Sequence, residues 1–136
     1  MWKGAAAVCI NSEFKLLMVL QGKPEEEKTW SVPSGGMEKG ETFEQCCYRE
    51  VWEETGYRVN VRQQLHEKNG EVFGSGFIVR YFRCDVIGGE PVLQDPDGLI
   101  YDIAWKSADE LHALPLTFPE DLPFLSSMLS SRQSAG

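Results

Sequence analysis

Before residue 40 the apolar residues come in short unbroken blocks; a helical period sets in only afterwards. Ala5 to Ile10, bounded by Gly4 and Asn11-Ser12, reads as a buried strand. Leu16 to Leu20 is a second such run, close enough to the first to pair as a hairpin across the Asn-Ser turn. Gln21 to Lys28 is polar, and its Glu25-Glu26-Glu27 run reads as a solvated loop. Trp30 to Pro33 is a brief extended piece leading into the glycine-rich stretch SGGMEKGE. The segment TFEQCCYREVWEETG reads as one helix from Thr42 to Thr55. Thr42 is its N-cap, Gln45 completes a capping box, and Gly56 stands where a C-terminal stop belongs.

Beyond Gly56 the period returns to two. Tyr57, Val59 and Val61 alternate in a strand reaching His66, and Lys68 to Gly76 reads as a glycine-containing turn. Phe77 to Val86 is the clearest later strand, with Phe77, Val79 and Tyr81 on one face and Ile78 and Phe82 on the other. Leu99 to Trp105 is strand-like, and Ser107 with Glu110 caps a short helix, SADELHAL. Pro119 to Leu129 reads as a last helix, with 130–136 expected to fray. No repeat or linker interrupts the chain, so residues 1–136 are expected to form one domain. The mixture predicts an α/β sandwich, a sheet covered by helices.

The helix carries a misfit. At about 100° per residue, Phe43, Cys46, Cys47 and Val51 share the sector that faces a core. Glu50 and Glu54 project into that sector, and Glu53 lies at its edge. Like charges at this spacing repel by a few tenths of a kcal/mol per pair when hydrated, and desolvation raises the cost. Something positive is expected among them, and hard oxygen ligands suit Mg²⁺ or Mn²⁺.

Composition narrows the partners. A formal charge of -8 over 136 residues argues against duplex nucleic acid and anionic membranes, which need a basic surface. A small phosphorylated ligand stays open, because a bound cation supplies a local positive field. Cys9, Cys46, Cys47 and Cys84 lack paired zinc-knuckle spacing and read as reduced, buried thiols. The N-terminal apolar run is too short to span a bilayer and has no signal-peptide architecture, so the expected compartment is the cytoplasm.

Hydrolysing a pyrophosphate requires cations that clamp oxygens and acidify water, held by fixed carboxylates on a rigid element. A helix with carboxylates at i, i+3 and i+4 beside a glycine-rich loop supplies this arrangement. From Gly35 the sequence GGMEKGETFEQCCYREVWEETGY resembles the box of the Nudix hydrolases, G-x5-E-x7-R-E-U-x-E-E-x-G-U, with U a bulky apolar residue. Gly35, Glu41, Arg49, Glu50, Val51, Glu53, Glu54 and Gly56 fill its fixed positions, and Tyr57 replaces the more usual aliphatic residue at its end (35–57). Ser34 stands where many members carry another Gly.

The resemblance implies a Nudix-type α/β/α sandwich with a mixed β-sheet between helices. It also implies a MutT-like hydrolase of nucleoside diphosphates linked to another moiety, using Mg²⁺ or Mn²⁺. By matching positions, Glu50, Glu53, Glu54 and the Gly35 carbonyl would be metal ligands, with Glu53 the general base. Arg49 would orient a carboxylate, and Glu41 would steady the loop. Asp95 falls where some members place a further carboxylate, with Asp97 its rival; a β-turn through DPDG is the better reading. Substrate-binding candidates are Lys23, Gly36 and Phe77, with Phe73 and Phe118 as further stacking residues. The default substrate is a nucleoside triphosphate, ordinary or oxidised. Oligomeric state is left open, a homodimer among the options. The rival class is a Nudix-like module that senses a nucleotide without hydrolysing it.

Overall fold

A computed structural model describes residues 1–135, with side chains described through residue 131. Its elements are β1 (Trp2–Cys9), β2 (Leu16–Gln21), β3 (Thr29–Ser31), β4 (Ser34–Gly36), α1 (Phe43–Thr55), β5 (Tyr57–Val72), β6 (Ser75–Gly89), β7 (Ile100–Lys106), α2 (Ala108–Ala113) and α3 (Leu122–Ala135). A 3₁₀ turn, Pro119–Asp121, leads into α3.

The expected α/β/α sandwich forms, but its strands divide into two sheets. One is mixed, in the order β4-β1-β6-β5, and the other runs β3-β2-β7. β1 pairs parallel with β6, placing Ala6 opposite Tyr81, and antiparallel with β4, placing Ala5 opposite Gly35. Alternation along β1 organises the core. Ala5, Ala7 and Cys9 pack with Cys46, Cys47 and Val51 of α1, whereas Ala6 and Val8 join Leu111 of α2 and Leu125 and Leu129 of α3. Small residues on β1 let helices approach from both sides.

The hairpin expected between β1 and β2 is corrected. A single bridge joins Ile10 to Leu16, after which the two strands enter different sheets. Both are buried on both faces, so each needs neighbours on either side, which a two-stranded hairpin cannot give. The turn expected over Lys68 to Gly76 is also largely strand: β5 runs on to Val72 and pairs with β6 down to Val72 opposite Ser75. Its outer residues are mostly exposed, so burial leaves no periodic trace there. The reversal is confined to Phe73 and Gly74, at φ 52° and 78°, a left-handed pair that suits a two-residue hairpin turn. Phe is an unusual occupant of such a position, which hid the turn.

Part of the glycine-rich stretch is itself a strand, β4, and α3 continues to Ala135 past the stop expected at Leu129. Of the tail expected to fray, Gly136 and the side chains after residue 131 lie outside the described residues. Among the described residues no helix is long and apolar enough to cross a membrane.

Candidate active site

Helix α1 begins and ends as its sequence requires. Thr42 accepts from the Gln45 N–H, the Gln45 side chain accepts in return, and Gly56 closes the helix at φ 80°. The cap fixes the helical phase, and Cys46, Cys47 and Val51, buried against the sheet, fix its rotation. Glu50 and Glu54 are thereby carried toward β4.

Arg49 organises what meets there. Its Nε and Nη2 donate to the two oxygens of Glu41 at 2.7 and 2.9 Å, a bidentate pair. Nη1 donates to Glu50 at 2.8 Å and Glu53 at 3.2 Å, and Nη2 also donates to the Gly36 carbonyl at 2.9 Å. A guanidinium has five N–H donors, so each has an acceptor. Glu41 is further tied to the loop by the Glu38 N–H at 2.8 Å. Glu54, 9% exposed, accepts from the Ser34 N–H at 3.2 Å. Gly35 leaves room for the Glu50 carboxylate: a Cβ built on it would fall on that group, and Glu50 would have to swing away from β4 to admit one.

The electrostatics divide these carboxylates. The Arg49 hydrogen bond holds Glu41 below the usual carboxylate range. Burial pushes Glu50 up, only partly opposed by Arg49. Glu54 is pushed well up by burial first and then by the Glu50 charge, with Asp95 adding to the push and the Ser34 N–H opposing it. The Glu41 hydrogen bond in turn holds the Arg49 guanidinium above its ordinary value. Burial lifts the Cys46 thiol to about 11, so it stays protonated and unsuited to nucleophilic attack.

These carboxylates could hold a divalent cation. Hard oxygen donors crowd at this end of the loop and helix, Glu50 and Glu54 among them costly to ionise, and the Glu50 carboxylate fills the space where any residue but Gly would put a side chain. Among the described residues no group of three or more His, Cys, Asp or Glu side chains converges as a closed ligand set. The reason is visible: Glu50 and Glu53 are turned onto Arg49, and Glu54 onto Ser34.

A pH dependence follows. With both pKa values raised, the folded protein retains protons that the unfolded chain releases. Stability from Glu50 and Glu54 is therefore full below the ordinary carboxylate value of about 4.3 and lost as pH rises through the raised values. Glu54→Gln is expected to melt higher than wild type at pH 7 without metal, with the gap closing toward pH 4. Thermal melts at several pH values check this, and a gap independent of pH contradicts it.

A cavity of about 440 Å³ opens beside Ser34 and Gly35, walled by Trp2, Phe77, Val79 and Phe118, with Lys68, Glu120 and Asp121 as its charged groups. Phe77 thus lines it as a stacking residue would, and so does Phe118, whereas Phe73 sits fully exposed on the hairpin tip. Gly36 gives its carbonyl to Arg49. Lys23 is exposed in the β2–β3 loop, its N–H bonded to Glu26 and its carbonyl to Lys28, and it does not line the cavity. Asp95 accepts from the Leu99 N–H at 2.9 Å in a turn closed by Gly98, although its charge still bears on Glu54. Asp97 is exposed in that turn. Sequence reasoning missed Trp2, Lys68 and Asp121. They come from β1, β5 and the 3₁₀ turn, and no local spacing links them.

A family profile described as NUDIX domain matches residues 1–128. The MutT-like protein of Streptomyces ambofaciens is 30% identical over 106 residues, 78% of this chain and 64% of that one. The NAD-capped RNA hydrolase NudC of Chromobacterium violaceum is 31% identical over 87 residues, covering 64% of this chain and 31% of that protein. Among solved structures, a NUDIX hydrolase from Nitrosomonas europaea superposes with a TM-score of 0.79 at 26% identity, covering 98% of this chain and 88% of the other. The chain spans less than two thirds of the length of the curated relatives it matches, as little as 16% of one.

Proposed function

We propose that this chain, which belongs to the NUDIX domain family, hydrolyses a phosphoanhydride in a nucleoside diphosphate linked to a further moiety. A nucleoside triphosphate, ordinary or oxidised, is the default substrate. The observation that carries the reading is the meeting, at Gly35, of Arg49-anchored glutamates with the mouth of an apolar cavity. One end of the site is built for an ion-bearing phosphate chain and the other for a flat apolar group.

Glu50, Glu53, Glu54 and the Gly35 carbonyl would hold Mg²⁺ or Mn²⁺. When bound, the cation supplies positive charge to the phosphate oxygens and makes a water easier to deprotonate. Arg49 holds Glu50 and Glu53 on one face of α1, so that neither must be ordered when substrate arrives. Glu53, with a side chain 23% exposed, keeps access to solvent and takes the proton from the attacking water. Trp2, Phe77 and Phe118 enclose the base. Four unpaired, buried cysteines support a reducing compartment, the cytoplasm.

A sensing module without turnover is the second reading, favoured by carboxylates that do not converge into a closed ligand set. Incubating the protein with Mg²⁺ and a panel of nucleoside triphosphates, ADP-ribose, dinucleoside polyphosphates and capped RNA separates the two. Two phosphate-bearing products from at least one compound, abolished by chelation, are expected; binding without products supports the sensor. Saturating Mg²⁺ or Mn²⁺ is also expected to raise the melting temperature by about 3–10 °C. An unchanged melt across the millimolar range contradicts both readings.

A further inference from the structure

We infer that Trp2 and Phe77 form an aromatic slot, held open by glycines beneath their rings, that prefers purines to pyrimidines. The preference is for the ring system and not for the exocyclic groups it carries. The inference rests on the proposal that the chain binds a nucleotide, and it names the class of base. Trp2 on β1 and Phe77 on β6 stand opposite each other in register, so both side chains rise from one face of the sheet. Trp2 is 52% exposed, yet its indole has a seat. A Cβ built on Gly4 would fall 2.5 Å from that ring, and one on Gly36, opposite Gly4 in β4, 3.1 Å from it. Phe77 is seated in the same way: a Cβ on Gly70, its partner in β5, would fall 3.1 Å from the phenyl ring. None of these three glycines has a positive φ, so backbone conformation does not require them. What they supply is room.

The direction of lean makes the slot. β4 and β5 are the outer strands of this sheet, on opposite sides of the β1–β6 pair. Trp2 leans outward over β4 and Phe77 outward over β5, so the rings splay apart above the seam between their strands. Ala6 and Val79 line the space left between them. A flat base entering there meets an aromatic ring on either side. Stacking asks for no particular edge, because every base has a π-face. The polar end of the cavity is equally tolerant. Lys68 donates there, Glu120 and Asp121 bring carboxylate acceptors, and carbonyl and amino groups both find partners. Contact area then decides, and a bicyclic purine covers more of the two rings than a pyrimidine does.

Calorimetric titration with the nucleoside monophosphates of guanine, adenine, uracil and cytosine, and with ribose 5-phosphate, tests this without turnover. Wild type is expected to bind both purine nucleotides about fivefold or more tighter than either pyrimidine nucleotide, with guanine and adenine within about threefold of each other. Ribose 5-phosphate, which has no base, should bind more weakly than all four. Trp2→Leu keeps an apolar side chain without the ring; it should weaken purine binding about tenfold or more and bring the purine-to-pyrimidine ratio within about twofold. Gly70→Val suits a strand and leaves both rings present, but drives Phe77 into the slot; it should weaken purine binding about fivefold or more. Should the first variant fail to fold, the second decides. Purine-to-pyrimidine ratios near one in wild type, a guanine–adenine gap wider than the purine–pyrimidine gap, or purine binding unchanged in either folded variant overturn the inference. Binding of none of the four nucleotides also overturns it, and the turnover panel then reports separately whether the hydrolysis proposal stands.

Discussion

Glu53→Gln is expected to lower turnover by about two to four orders of magnitude, the range supplied by a general base. The melting temperature should change little, because the substitution removes one charge and almost no volume. Glu53 contributes one contact to Arg49, at 3.2 Å, and every other acceptor of that guanidinium stays in place. Because Glu53 is also among the groups that would hold the cation, the comparison is made at saturating Mg²⁺, where the loss should fall on kcat. Steady-state kinetics with a thermal melt on the same preparation decide the matter. Full activity in the folded variant would remove Glu53 from the chemistry and direct attention to Glu50.

Arg49→Met is expected to damage both activity and stability. Among the described residues the guanidinium is the one positive group bonded to Glu41, Glu50 and Glu53, and it anchors Gly36 of β4 as well. Removing one partner of a buried charge network costs roughly 3–5 kcal/mol; Arg49 keeps a fifth of its side-chain surface in water, which brings the expected loss to about 2–4 kcal/mol. Turnover should drop at least a hundredfold as Glu50 and Glu53 lose their orientation. Lys at this position cannot reproduce the fork on Glu41, so Arg49→Lys should recover little. Added Mg²⁺ should restore part of the lost stability by supplying charge to the stranded carboxylates. Denaturant unfolding with and without Mg²⁺ reads this directly, and a variant as stable as wild type would show that the network is not an anchor.

The contrast between what the sequence disclosed and what it withheld follows from range. Thr42, Gln45 and Gly56 bound α1 through contacts no more than four residues apart, and the phase of Glu50 and Glu54 follows from the period alone. The partnership of Arg49 with Glu41 spans eight residues on either side of a helix start, and the Nudix spacing made it legible. Lys68, by contrast, meets Asp121 across 53 residues, and Tyr81 meets it across 40. No pattern in the intervening chain announces either meeting. The division into two sheets was hidden because the buried stretches of β1 and β2, residues 5–9 and 16–19, are unbroken apolar runs, and buried strands lose the alternation that marks a face. The outer half of β5 was hidden for the opposite reason, since its strand is held by pairing with β6 and hardly by burial.

The most direct test of the account is uptake of Mn²⁺, followed by the loss of its free electron-paramagnetic-resonance signal as protein is added. Wild type should remove Mn²⁺ from solution in the micromolar to millimolar range, and the Glu50→Gln/Glu54→Gln double variant, melting as a folded protein, should leave the signal untouched. A wild-type protein that takes up no Mn²⁺, or a double variant that takes up as much, would contradict it.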